Sequence, residues 1–142
     1  MEERKYPIKV KTILEIIGTP KDHVEEALKL IVNKIKEGKE KFNVTSDKAF
    51  DAVEMEGKPL WSTFAEIEME VKNMENLIGF CFDFMPSSIE FLDEKELKIS
   101  HKEAENVVND LIARLHQYDM LLKNIHAQNI LMKKELEKKK SE

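Results

Sequence analysis

From Ser100 to Lys139 the chain contains neither glycine nor proline, the two residues that most readily end a helix. The stretch opens on Ser100-His101-Lys102-Glu103, the spacing of a capping box, in which the serine oxygen accepts from a first-turn amide and the glutamate reaches back to the cap. An unbroken helix of this extent is about 55–60 Å long, roughly twice the width of a domain of about 100 residues. Such a rod must project, fold back as a hairpin, or meet a partner. Its apolar positions alternate by four and three: Val108, Leu115, Leu122, Asn129 and Leu136 fall at heptad position a, and Ala104, Leu111, Tyr118, Ile125 and Met132 at d. Asn129 is the type of polar insertion that fixes register or strand number in a coiled coil, or else a tolerated surface asparagine of a frayed end. Val107, Ile112 and Leu121 widen the seam in the first half, and Ile130 and Leu131 lie off it further along. The pattern predicts that the first half packs on its own domain as well as on another helix, and that the remainder meets a second subunit. Burial of apolar surface is worth about 25 cal/mol per Å², so leaving the whole stripe wet gives up on the order of several kcal/mol. The expected interface is Val108, Leu111, Leu115, Tyr118, Leu122, Ile125, Asn129, Met132 and Leu136, in a homo-oligomer, foremost a dimer.

Residues 1–99 read as an α+β domain and residues 100–142 as the long helix. Ile8, Val10, Leu14 and Ile16 alternate with Lys9, Lys11 and Glu15, the period of a strand with one buried face. Gly18-Thr19-Pro20 turns the chain, with Thr19 placed to cap a helix, Pro20 in its first position and Asp22 near the positive dipole end. Helical spacing then runs through Val24, Leu28, Ile31 and Ile35 to Gly38, a candidate left-handed terminator, giving a helix over residues 20–37. Segments 42–45 and 50–55 read as one interrupted or bulged strand separated by Ser46-Asp47-Lys48. After the Gly57-Lys58-Pro59 turn, Ala65, Ile67, Met69 and Val71 alternate with Glu66, Glu68 and Glu70 as the third strand.

Asn73 can cap a second helix whose Leu77, Ile78, Cys81, Phe82 and Met85 share a face, and Pro86 would stop it. Phe80, Phe82 and Phe84 also recur with period two, so residues 78–84 could form a strand; helix is preferred. Ser88 to Leu92 reads as a final short strand, resumed at Leu97 to Ile99 after Asp93-Glu94-Lys95-Glu96. The resulting order, βαββαβ, resembles the ferredoxin-like arrangement, with a sheet layer and both helices on one face, and it is similar to ACT-like small-molecule-sensing domains and to RNA-binding folds. That topology is shared by too many unrelated proteins to identify a family. It places strands one and three side by side, so Lys9 and Lys11 should lie near Glu66, Glu68 and Glu70 on the outer face.

The composition narrows the functional classes. A net charge of −5 repels phosphate backbones, making nucleic acid a disfavoured partner, and strands one and three lack paired aromatics for base stacking. The apolar runs are too short for a membrane span, and Met1 to Lys5 lacks the apolar core of a secretory signal. A single cysteine, Cys81, excludes an intrachain disulfide and agrees with a reducing, cytoplasmic setting.

No Ser-His-Asp set, Walker loop or GxGxxG fingerprint occurs, so enzymatic activity has no support. The four histidines lack the close ligand pairs of a metal site, and neither metal nor cofactor is expected. Asp83 stands out among Phe80, Cys81, Phe82, Phe84 and Met85, and the Gly18-Thr19-Pro20-Lys21 turn offers amides at a helix start. Gly18, Thr19, Lys21 and Asp83 are therefore the candidate ligand-binding residues. A solvent-facing aspartate and an ordinary capped turn are the simpler alternatives. Trp61 and Phe64 line either a pocket or the core. The leading expectation is a non-enzymatic interaction or scaffold protein that self-associates through its C-terminal helix; the alternative is a small-molecule-binding regulatory domain.

Overall fold

The computed structural model describes residues 6–92 and 96–141. The elements run β1 (Ile8–Gly18), α1 (Lys21–Glu37), β2 (Phe42–Ala49), β3 (Val53–Glu54), β4 (Trp61–Val71), α2 (Met74–Phe84), β5 (Ser88–Phe91) and α3 (His101–Ser141). The protein is thus α+β, with a five-stranded antiparallel sheet in the order β2-β4-β1-β5 and the short β3 added to β4.

Alternation along β1 and β4 builds the core. Ile8, Val10 and Leu14 from β1 and Ala65, Ile67, Met69 and Val71 from β4 are buried in one cluster with Leu28, Val32 and Ile35 of α1 and Leu77 and Phe80 of α2. Because successive strand side chains point to opposite faces, a single cluster fed by alternate residues puts α1 and α2 on the same side of the sheet. The two buried hydroxyls on this side are satisfied: Thr12 donates to the Ser88 carbonyl at 3.0 Å and Thr63 to the Phe50 carbonyl at 2.6 Å. Thr12 thereby ties the short β5 to β1 in addition to the ladder from Val10 to Ile13.

The other sheet face carries the expected charge ladder. Lys9 lies opposite Glu70 and Lys11 opposite Glu68, and Lys11 Nζ is 3.9 Å from Glu66 Oε2. With both side chains about one-third exposed, that pair contributes less than about 1 kcal/mol. Phe64 stacks on Phe50 at this face, with centroids 4.4 Å apart. Neither Phe64 nor Trp61 enters the core: Trp61 is half-buried at the start of β4, with the Lys21 ammonium 5.5 Å from its ring centroid.

Several local expectations are corrected. Helix α1 begins at Lys21 with Pro20 as its cap residue and no side-chain cap bond, so Thr19 does not cap it. Gly38 has φ −78°, and the helix closes by a tight bond from its N–H to the Ile35 carbonyl rather than by a left-handed residue. Ser46-Asp47-Lys48 lies within β2; the irregularity falls between Val44 and Ser46, and Asp47 beyond it pairs with Lys36 of α1. Residues 97–99 are not a strand. The expected turn at 93–95 and the N-terminal residues 1–5 lie outside the described residues.

Residues 78–84 are helical, as the preferred reading has it, within α2. Asn73 caps the helix by accepting from the Asn76 N–H at 2.8 Å, and Met85 ends it in the left-handed conformation, φ 49°. The expected buried face is rotated, however. Leu77 and Phe80 point to the sheet with Cys81 and Phe84 beside them, whereas Phe82 turns to α3 and Met85 is 73% exposed.

The start of α3 divides the two halves of its capping box. Ser100 Oγ accepts from the Glu103 N–H at 3.0 Å, but the Glu103 carboxylate accepts from the Met74 N–H at 2.9 Å, the first turn of α2. One carboxylate therefore satisfies an orphan donor of a neighbouring helix and meets the positive ends of two helix dipoles. Glu103→Ala should cost about 1 kcal/mol and lower the melting temperature by roughly 2–4 °C. Glu103→Gln, which keeps an acceptor, should recover most of that loss; thermal unfolding by circular dichroism checks both.

Candidate functional site

Helix α3 runs alongside α2 in the same direction, from the Glu103–Met74 contact to the Tyr118–Phe82 contact. Between them Arg114 gathers a small network. Its Nε donates to Asp110 Oδ2 at 3.1 Å, its guanidinium lies 3.7 Å from Asp83 Oδ1, and its Cζ sits 5.0 Å from the Phe82 ring centroid. Tyr118 stacks on Phe82 with centroids 6.0 Å apart. The cation explains Asp83: this carboxylate among aromatics is solvent-facing and paired, with 63% of its side chain exposed. Sequence reasoning missed Arg114, although its spacing to Asp110 at i,i+4 was a readable signal.

Past Tyr118 the helix leaves the body. Every described residue from Asp119 to Ser141 is exposed, a projection of about 35 Å at 1.5 Å per residue. No residue of α3 is buried in the single chain. Of the seam positions, Leu111 is half-buried and Tyr118 leans on Phe82, while Leu122 is 65% exposed, Leu136 59% and Ile125 53%. Val108, Leu115, Asn129 and Met132 are exposed as well. Off the seam, Ile112, Met120, Leu121, Ile130 and Leu131 add to the wet apolar surface. Isolated exposed leucines are ordinary, but here large apolar side chains recur along the whole projecting half of the helix.

The four candidate ligand residues fall in two separate places. Gly18 ends β1 opposite Trp61, Thr19 and Lys21 are exposed beside it, and the Lys21 ammonium lies 4.0 Å from Glu25. Asp83 instead lines a groove of about 760 Å³ between the end of α1, α2 and α3, with Phe42, Gly79, Phe80, Phe84, Asp110 and Arg114 on its walls; none of Gly18, Thr19 and Lys21 lines it. A second groove of about 780 Å³ lies at the starts of α2 and α3, lined by Asn73, Lys98, Ser100, Lys102 and Glu103 among others. Among the described residues no group of three or more His, Cys, Asp or Glu side chains is placed to hold a metal ion, and no helix is long and apolar enough to cross a membrane.

Cys81 is half-buried on α2, and desolvation pushes its thiol up from the usual range, away from the reactive thiolate. A disulfide reagent at pH 8 should therefore label the native protein several-fold more slowly than the urea-unfolded chain, as followed by thiolate release. Equal rates would show that the thiol is not desolvated. The linkage has a definite sign. The folded state holds the Cys81 proton to higher pH than the unfolded state, so this contribution to stability is complete at neutral pH and is lost as pH rises through the folded-state value.

No curated protein and no solved structure matches the chain. A family profile does match, over residues 9–141, and so takes in β1, the core helices and nearly all of the projecting rod. By that match, which spans the α+β body and α3 as one unit, the chain belongs to the MJ0538 family.

Proposed function

We propose that this chain is a non-enzymatic interaction or scaffold protein that self-associates through α3, while its α+β body presents a surface to other proteins. The carrying observation is the free half of α3, a rod of about 35 Å whose Leu122, Ile125, Met132 and Leu136 are all more than half exposed in the single chain. Burying that stripe against a second helix supplies the apolar contact the body leaves unmade. The heptad spacing supports a coiled-coil mode of pairing, and the single cysteine suits a cytoplasmic setting. We read the body as ferredoxin-like: β1, β2, β4 and β5 supply its four strands and β3 is an addition to the edge of β4. That reading is consistent with the β2-β4-β1-β5 order.

Sedimentation velocity across a range from low micromolar to millimolar tests self-association. A concentration-dependent shift from monomer to dimer or larger species is expected; a strictly monomeric chain throughout would reject the reading. The Asp83 and Arg114 groove favours a second reading, a small-molecule-binding regulatory domain with an ACT-like topology. Thermal-shift screening against amino acids and nucleotides separates the two, because only a ligand site yields stabilisation that grows with ligand concentration.

A further inference from the structure

Resting on the self-association proposed above, we infer that two copies of α3 pair parallel and in register, so that each a-position side chain from Val108 to Leu136 meets its own counterpart. Three observations lead there. First, the single chain carries more surface than it needs. It exposes 11083 Å², whereas a compact monomer of its 16.6 kDa mass exposes about 7,600 Å². The surplus is far more than the roughly 800 Å² that each partner gives to a stable interface, and no residue of α3 is buried.

Second, the two rows of the seam are not equally open. On the d row, Ala104 and Leu111 are partly covered. The a row is open throughout: Val108 is 53% exposed, Leu115 61%, Leu122 65% and Leu136 59%, with Asn129 exposed between the last two. A parallel in-register pair sets a on a and so uses the whole row, about 42 Å of helix. An antiparallel pair sets a on d, and every such register leaves part of the a row against Lys139, against the covered Ala104 and Leu111, or without a partner. Leu111, Arg114 and Tyr118 lie on the d and g side, where α2 packs. A two-fold axis along the seam therefore carries the two bodies to opposite sides of it.

Third, the polar position matches itself. Parallel pairing places Asn129 on the partner's Asn129, where each amide can donate to and accept from the other; an antiparallel pair would put it against an apolar d residue. An asparagine at a is the insertion that sets register. Each g position then faces an e position five residues on, and none of these pairs is like-charged: Arg114 with the partner's Asp119, Leu121 with the partner's His126, Gln128 with the partner's Lys133, and Glu135 with the partner's Lys140. Arg114 and Asp119 already have ion pairs within their own chain, so the flanks permit the arrangement and the seam drives it. Like charges meet only past Leu136, where Lys138, Lys139 and Lys140 of the two chains come side by side.

Cysteine crosslinking in a Cys81→Ser background tests orientation and register together. Chains carrying only Leu115→Cys, and chains carrying only Leu136→Cys, should each form a disulfide dimer with themselves under mild oxidation, because facing a positions come within a disulfide's Cα reach of roughly 4.4–6.8 Å. An antiparallel pair can bring at most one of these positions onto its own copy, since the two lie about 30 Å apart along the axis. Failure of either chain to crosslink with itself would overturn the parallel register. Charge supplies an independent readout. Lys138→Gln/Lys139→Gln/Lys140→Gln should tighten the dimer roughly fivefold at low salt, and the gain should vanish near 1 M salt, where the Debye length shortens to about 3 Å. Weaker dimerisation at low salt would place the tails beside acidic groups and reject the parallel pair. A parent chain that sediments as a monomer removes self-association itself. A dimer in which the two cysteine positions do not both crosslink like to like removes only the parallel register.

Discussion

Under the self-association proposed for α3, Leu122→Asp should leave the chain folded but monomeric. Leu122 is 65% exposed on the projecting half of α3 and touches none of the core, so the single chain should keep its melting temperature, surface substitutions of this kind staying within about 0.5 kcal/mol. In an interface the same carboxylate is desolvated without a partner, which costs about 3–5 kcal/mol. The dissociation constant should rise roughly 10²- to 10³-fold, read by sedimentation at matched concentrations. Leu115→Asp should act in the same direction, since Leu115 is 61% exposed at the preceding a position. An assembly indifferent to both changes would place the contact elsewhere on the chain.

Phe80→Ala should produce the largest loss of stability. Phe80 is 1% exposed, meets Phe42 edge-on with centroids 5.4 Å apart, and lies 5.2 Å from Phe84. It joins α2 to the sheet, and truncating it removes the transfer energy of the ring and leaves a cavity, together about 3–5 kcal/mol. For a chain of this size that corresponds to a fall of roughly 6–20 °C in melting temperature. Phe82→Ala is the informative control. Phe82 packs on Tyr118 and Arg114 outside the sheet core, so it should unfold only slightly earlier while loosening α3 from the body. Comparable losses at the two positions would mean that α3 is integral to the domain core.

Long-range features that depend on repetition were readable from residues alone. The period of two in Ile8 to Ile16 and Ala65 to Val71 places β1 and β4, and the order of elements sets the two side by side, with Lys9 opposite Glu70 and Lys11 opposite Glu68. Asn73 and Pro86 bracket α2. Features that depend on a single close neighbour were not readable. The turn at Thr19 carries the signs of a side-chain cap, yet α1 has Pro20 as its cap residue and no side-chain cap bond. The three phenylalanines of α2 fit either of two periodicities, and only the position of α3 shows that Phe82 belongs to a different contact from Phe80.

The candidate site divides along the same line. An apolar seam on a glycine-free, proline-free stretch is a property of sequence, because helical geometry converts spacing into a face whatever lies nearby. Which part of that seam the body covers is a property of tertiary structure. Glu103, with the spacing of a capping residue for its own helix, is drawn instead to the Met74 amide of α2, and Arg114 pairs across the helix boundary with Asp83. Periodicity along the chain therefore determined that a long amphipathic helix exists. The packing of α2 against its first half alone decided that Ala104 and Leu111 are partly covered while every residue past Tyr118 stays open, because contacts between elements distant in sequence depend on where the sheet holds each helix.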